Sequence, residues 1–184
     1  MSASESKVHA LNIAQMRTTR NTLARPARQA AIEALDTAVA CSMDLSLAAR
    51  QAHWNVRGRQ FSALHALFGQ IADELYKQTD ALAERSAALG GTPRCTPQNV
   101  VATTRLRPYP SFGFDGAEHL DELSTRLANL STELRQSVLT IDGDQDPVTA
   151  ELLTDACASV DHQLWLLESH FPIDDNGLAS NTQN

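Results

Sequence analysis

The sequence predicts an all-α protein built as a four-helix bundle. Three observations carry that reading. Residues 27–89 contain no proline and only two glycines, whereas residues 90–116 hold four of each. Breakers thus cut the chain into long helix-sized pieces. Within those pieces apolar residues recur every three or four positions, and no stretch alternates as a half-buried strand does.

The first helix is expected over 27–55, where Ile32, Leu35, Val39, Met43 and Leu47 make one stripe. The second, over 60–89, carries Phe61, Leu64, Phe68, Ile71, Leu75, Leu82 and Leu89. The third, over 116–141, carries Leu120, Leu123, Leu127, Leu130, Leu134, Val138 and Ile141. The fourth, over 147–170, carries Val148, Leu152, Val160, Leu164, Leu167 and, just past its end, Phe171. Residues 90–115 are too many for a simple loop. Pro97 suits the first position of a helix, so a short helix is expected inside this crossover. Residues 1–26 read as a flexible basic N-terminal tail, 27–171 as the bundle and 172–184 as a C-terminal tail.

Composition narrows the function classes. Of 184 residues, 42% are hydrophobic and 20% charged, enough apolar material for a core. No apolar run approaches a membrane span, so no membrane partner is expected. The opening MSASESKVHA has no apolar h-region, which makes the cytoplasm the expected compartment. Three widely spaced cysteines, Cys41, Cys95 and Cys157, suit neither a disulfide framework nor a thiolate zinc site. The net charge of −7 disfavours wrapping nucleic acid with the whole surface. The charge is uneven, however. Residues 1–28 hold five basic side chains against Glu5 alone, which leaves −11 on the remainder.

The chemistry centres on His53, His65, Asp80 and Glu84. Imidazole plus carboxylate is a ligand set for non-haem iron or zinc. Asp80 and Glu84 are four apart and share one helix face. Along a helix, His65 lies about 25 Å from the midpoint of that pair. One chain cannot bring both ends to one metal through that helix. Two antiparallel copies about a two-fold axis can, and symmetry then makes two identical sites. His53 joins if the NVRG turn reverses the chain.

These residues resemble a known family. QAHWNVRGRQFSALH at 51–65, DALAER at 80–85 and LGGTP at 89–93 closely resemble the Dps proteins, DNA-binding proteins from starved cells or mini-ferritins. The helical plan and WLLES at 165–169 extend the resemblance over roughly 27–171. It implies a ferritin-like four-helix bundle with a short helix in the long crossover between helices two and three. It also implies a dodecameric cage that oxidises Fe2+ at two-fold interfaces, with hydrogen peroxide preferred as oxidant, and stores Fe3+ inside. The family's ferroxidase ligands fall on His53, His65, Asp80 and Glu84. Many relatives carry an aspartate four residues after the second ligand histidine, where it helps hold a second, weaker iron. Gly69 stands there in this chain, and Asp73 follows one turn on.

Other positions follow from the same resemblance. Asp146, Glu151 and Asp155 resemble the acidic three-fold pore, where a negative channel concentrates Fe2+. Trp54, beside a ligand histidine, is a candidate radical sink, although packing at a dimer interface suffices to explain it. Lys7, Arg17 and Arg20 are the candidate DNA contacts, acting on phosphates by avidity and without base readout. That contact would bring nucleoid association. It also frames the competing reading, a structural nucleoid protein that compacts DNA, with iron chemistry secondary. His119, His162 and His170 have no partner at ligand spacing.

Overall fold

The computed structural model describes residues 16–110, 115–141 and 146–171. Five helices follow one another: α1 (Arg25–Asn55), α2 (Phe61–Ala88), α3 (Pro97–Thr103), α4 (Gly116–Thr140) and α5 (Pro147–Glu168). The four long helices fall within about two residues of the spans expected from the apolar stripes. Among the described residues no strand forms; an isolated bridge pairs Arg57 with Asp115. No helix among them is long and apolar enough to cross a membrane.

Local chemistry sets the helix ends. Pro26, Pro97 and Pro147 sit in the first turns of α1, α3 and α5, where a missing N–H costs nothing. Asp115 caps α4 by accepting from the Ala117 amide, and Asp146 caps α5 by accepting from the Thr149 amide. Gly58, at φ 107°, reverses the chain between α1 and α2.

The stripes meet in one core. α1 packs along α2 and α4, α4 along α5, and α3 rests on α1. Leu35, Leu45, Phe68, Leu75, Leu82, Leu123, Leu130, Leu153 and Leu167 are fully enclosed. The core face of α1 is rich in alanine: Ala31, Ala38, Ala48, Ala49 and Ala52 are buried, which lets neighbouring helices approach closely. Arg126 is the polar exception. It sits beside Leu127 on the buried face of α4, 1% exposed, and pairs with Asp44 at 3.1 Å.

The basic N-terminal segment is not free throughout. The Arg17 amide donates to Gly90 O at 2.8 Å, and its guanidinium donates to Ala87 O and Gly91 O, each at 3.0 Å. Ala87 lies in the last turn of α2 and the two glycines just beyond it, where the helix dipole favours a cation. Met16 and Leu23 pack against the core. Arg17 is therefore a strap onto the LGGTP turn rather than a loose DNA contact. The expectation of a flexible tail to residue 26 is corrected accordingly, since Arg25 and Pro26 already belong to α1. Arg20 is exposed, and Lys7 lies outside the described residues.

Candidate metal centre

His53 ends α1 and His65 stands in the second turn of α2, so the Gly58 reversal brings them together. Their rings stack with centroids 3.7 Å apart. His53 Nδ1 lies 2.6 Å from His65 O, and His65 Nδ1 lies 2.8 Å from His53 O. A carbonyl only accepts, so each Nδ1 carries the proton and donates. In the neutral ring that leaves the lone pair on Nε2, the form in which imidazole binds a metal. Phe61 also stacks on His65, with ring centroids 5.1 Å apart.

Gly69 is part of this arrangement. A Cβ on Gly69 would lie 2.9 Å from His53 Nδ1 and 3.1 Å from its Cε1. The bare Cα gives the His53 ring its seat, and an aspartate there would displace it. Asp73 is ion-paired with Arg50 across α1 and α2. Among the described residues no carboxylate gathers with His53 and His65.

Asp80 and Glu84 lie near the other end of α2, both exposed on the face that also carries His65. Among the described residues neither has a hydrogen-bond or ion-pair partner. No group of three or more histidine, cysteine, aspartate or glutamate side chains gathers within the chain among those residues. The fold thus joins His53 to His65 and leaves Asp80 and Glu84 apart from them, as the helix-rise argument requires of a single copy. Large apolar side chains stand exposed nearby: Phe61 and Tyr76 on α2, and Trp54, at 72%, and Leu47 on α1.

The three acidic candidates separate. Glu151 and Asp155 are exposed on α5. Asp146 is 2% exposed and pairs with Arg85 Nη2 at 2.7 Å, while Arg85 Nε donates to Thr149 Oγ1 at 2.9 Å. Asp146 is a helix cap inside a buried ion pair, not a channel carboxylate. The sequence could place it at a helix start but could not show that Arg85, sixty-one residues earlier, would reach it.

Sequence reasoning also missed the Tyr109–His119 pair, whose Oη and Nδ1 are 2.6 Å apart. No spacing rule connects a crossover tyrosine with a histidine in the next helix. The cysteines are free, Cys41 and Cys157 buried and Cys95 exposed. Burial pushes the Cys41 thiol up, against weaker opposing hydrogen bonds from Arg105 and Thr104.

Comparison with known proteins agrees with the architecture. Residues 32–172 match the ferritin-like domain family. The chain is 37% identical over 152 residues to the DNA protection during starvation protein of Agrobacterium fabrum, covering 83% of this chain and 94% of that one. Among solved structures it is similar to DpsA14 from Streptomyces coelicolor, with a TM-score of 0.83 and 28% identity over 91% of this chain and 98% of that one. Mycobacterium smegmatis Dps shares the fold at a TM-score of 0.84 with 22% identity, over 91% of this chain and 99% of that one. With the helix order, the long crossover and the paired histidines, these matches place the chain: it belongs to the ferritin-like family and, within it, to the Dps proteins.

Proposed function

We propose that the chain oxidises Fe2+ at sites formed between two copies, with hydrogen peroxide as oxidant, and keeps the Fe3+ product inside a closed homo-oligomer of about twelve subunits, the size the family resemblance implies. The observation that carries this reading is the division of the donors along α2. Two imidazoles, each with its Nδ1 proton tied to a carbonyl, stand at one end. Two carboxylates without a partner among the described residues stand at the other, about 25 Å away. A two-fold axis across α2 brings each half against the other half of a second copy.

In such a site the residues have separate tasks. His53 and His65 supply neutral nitrogen donors whose orientation is fixed by the carbonyl each binds. Asp80 and Glu84 supply negative oxygen, which favours Fe3+ over Fe2+ and so assists loss of an electron. The exposed apolar side chains of Trp54, Phe61 and Tyr76 are suited to cover the site against water once two copies meet. Trp54, beside His53, is also placed to take up an oxidising equivalent.

Glu151 and Asp155 are the remaining candidates for an acidic iron entrance. DNA contact, if the N-terminal arm makes it, rests on Lys7 and Arg20, with cytoplasmic location and nucleoid association to match. Protection of DNA then follows from removal of Fe2+ and peroxide together. A relative's name, DNA protection during starvation protein, supports that reading.

The test is an anaerobic Fe2+ titration followed by peroxide, with stoichiometry read per subunit and the assembly weighed by sedimentation. Joint replacement His65→Ala and Asp80→Ala is expected to abolish fast oxidation and to leave the oligomer assembled. Wild-type rates in that double variant, or a monomer as active as the whole, would overturn the reading.

A further inference from the structure

Tyr109 and His119 form a hydrogen-bonded pair outside the four candidate ligands. Tyr109 lies in the crossover after α3, and His119 in the first turn of α4. The phenol Oη stands 2.6 Å from His119 Nδ1, and the imidazole is 5% exposed. Burial pushes the phenol up, with Glu122 adding to the rise and Arg126 opposing it. With the imidazole proton on Nε2, Oη donates to Nδ1 across this contact, so the base lone pair faces the phenol proton. The Arg126 guanidinium lies 5.7 Å from the Tyr109 ring centre.

Contacts join this pair to the candidate centre. The His119 ring meets Phe68 edge-on at a centroid distance of 6.1 Å. Phe68 is followed in α2 by Gly69, on which the His53 ring rests. A packed route therefore runs from Tyr109 through His119, Phe68 and the Gly69 backbone to His53.

On the function proposed above, the centre needs such a donor. Breaking the O–O bond of hydrogen peroxide takes two electrons, and one Fe2+ supplies one. Two imidazoles and two carboxylates suit one ion, and neither Gly69 nor the Arg50-bound Asp73 offers a ligand for another. We propose that Tyr109 supplies the second electron while His119 takes its proton, making the pair a proton-coupled donor to the iron-oxidising centre.

The step balances. Fe2+, hydrogen peroxide, the phenol and neutral imidazole give Fe3+, two hydroxide ions, a neutral tyrosyl radical and imidazolium. The O–O and Oη–H bonds break, and an Nδ1–H bond forms. A second Fe2+ then returns an electron to Tyr109, and the proton moves back to Oη. Two Fe2+ are consumed per peroxide, and no hydroxyl radical leaves. Histidine is suited to this proton exchange near neutral pH. Trp54 is also near His53, but it is largely exposed and has no hydrogen-bonded base among the described residues.

The test is freeze-quench electron paramagnetic resonance on the full-length oligomer mixed with Fe2+ and hydrogen peroxide. Iron oxidation is recorded by absorbance on the same mixture. Protein grown with ring-deuterated tyrosine separates a tyrosyl signal from a tryptophanyl one. Wild type is expected to give a signal that narrows on deuteration, Tyr109→Phe to lose it, and a spin trap to catch several-fold more hydroxyl radical from that variant. His119→Gln keeps a hydrogen-bond acceptor without a base and is expected to lose the signal too, which covers the case of Tyr109→Phe failing to assemble. Wild-type iron oxidation without a tyrosyl signal, or an undiminished signal in Tyr109→Phe, would overturn the proposal. A wild-type protein that oxidises no Fe2+ overturns the proposed function itself, and the absorbance record tells that outcome from the other two.

Discussion

His53 and His65 hold each other: their rings stack at 3.7 Å, and the Nδ1 of each donates to the backbone carbonyl of the other. The arrangement fastens the end of α1 to the start of α2 and sets both Nε2 atoms as acceptors. The same two hydrogen bonds therefore serve the fold and prepare the site.

Gly69 is the weak point of that arrangement. Gly69→Ala adds a Cβ at 2.9 Å from His53 Nδ1, so the ring must move and its bond to His65 O is lost. Fe2+ affinity is expected to fall about tenfold or more, the range seen when a group orienting a ligand is removed. Anaerobic titration calorimetry checks this, and unchanged affinity would show that His53 retains its geometry without the glycine.

The Arg85–Asp146 pair predicts a stability effect instead. Asp146→Asn leaves Arg85, only 16% exposed, without its counter-charge. A loss of about 3 kcal/mol is expected, since breaking a buried pair strands the remaining charge. Urea unfolding measures it. Iron uptake per folded oligomer should be little changed, because Asp146 faces Arg85 and Thr149 rather than solvent.

The entrance role then rests on Glu151 and Asp155. Replacing both with their amides, Glu151→Gln and Asp155→Asn, is expected to slow iron uptake at low ionic strength and to matter less in high salt, where the field is screened. Stability should hardly move, because both side chains are exposed. Equal uptake rates at low salt would remove the entrance role.

Alkaline pH tests the Tyr109 environment. Its phenol is raised above the ordinary 10.0, chiefly by burial. The folded state thus holds the proton more tightly than the unfolded chain. The resulting stability is complete below pH 10 and is lost as pH rises through the folded value. Cys41, also raised by burial, loses stability in the same sense from about pH 9 upward. Unfolding midpoints at stepwise pH should fall less steeply above pH 10 in Tyr109→Phe than in wild type.

The docked strap revises how DNA binding is to be tested. Deleting residues 1–15 removes Lys7 and leaves every Arg17 contact in place. Gel retardation at low salt is expected to weaken in that variant while oxidation continues. Deleting residues 1–22 takes Arg17 as well, exposing the carbonyl end of α2 at a cost of about 1–2 kcal/mol. Retardation unaffected by either deletion would place any DNA contact elsewhere.

The sequence by itself determined the helices and their order. Apolar spacing and the placement of proline and glycine are local signals, and helix formation answers to local signals. It also pointed to four residues to consider as ligands, through the resemblance of QAHWNVRGRQFSALH and DALAER to the Dps proteins. Whatever depends on a partner far along the chain was decided only by the tertiary structure. Arg17 reads as a tail charge until Gly90 and Gly91 fold beneath it. Asp146 reads as a pore acid until Arg85 arrives from another helix, and Asp73 as a spare ligand until Arg50 claims it. Charge and residue type are properties of one position, whereas burial and pairing are properties of two, and only packing brings the second position near.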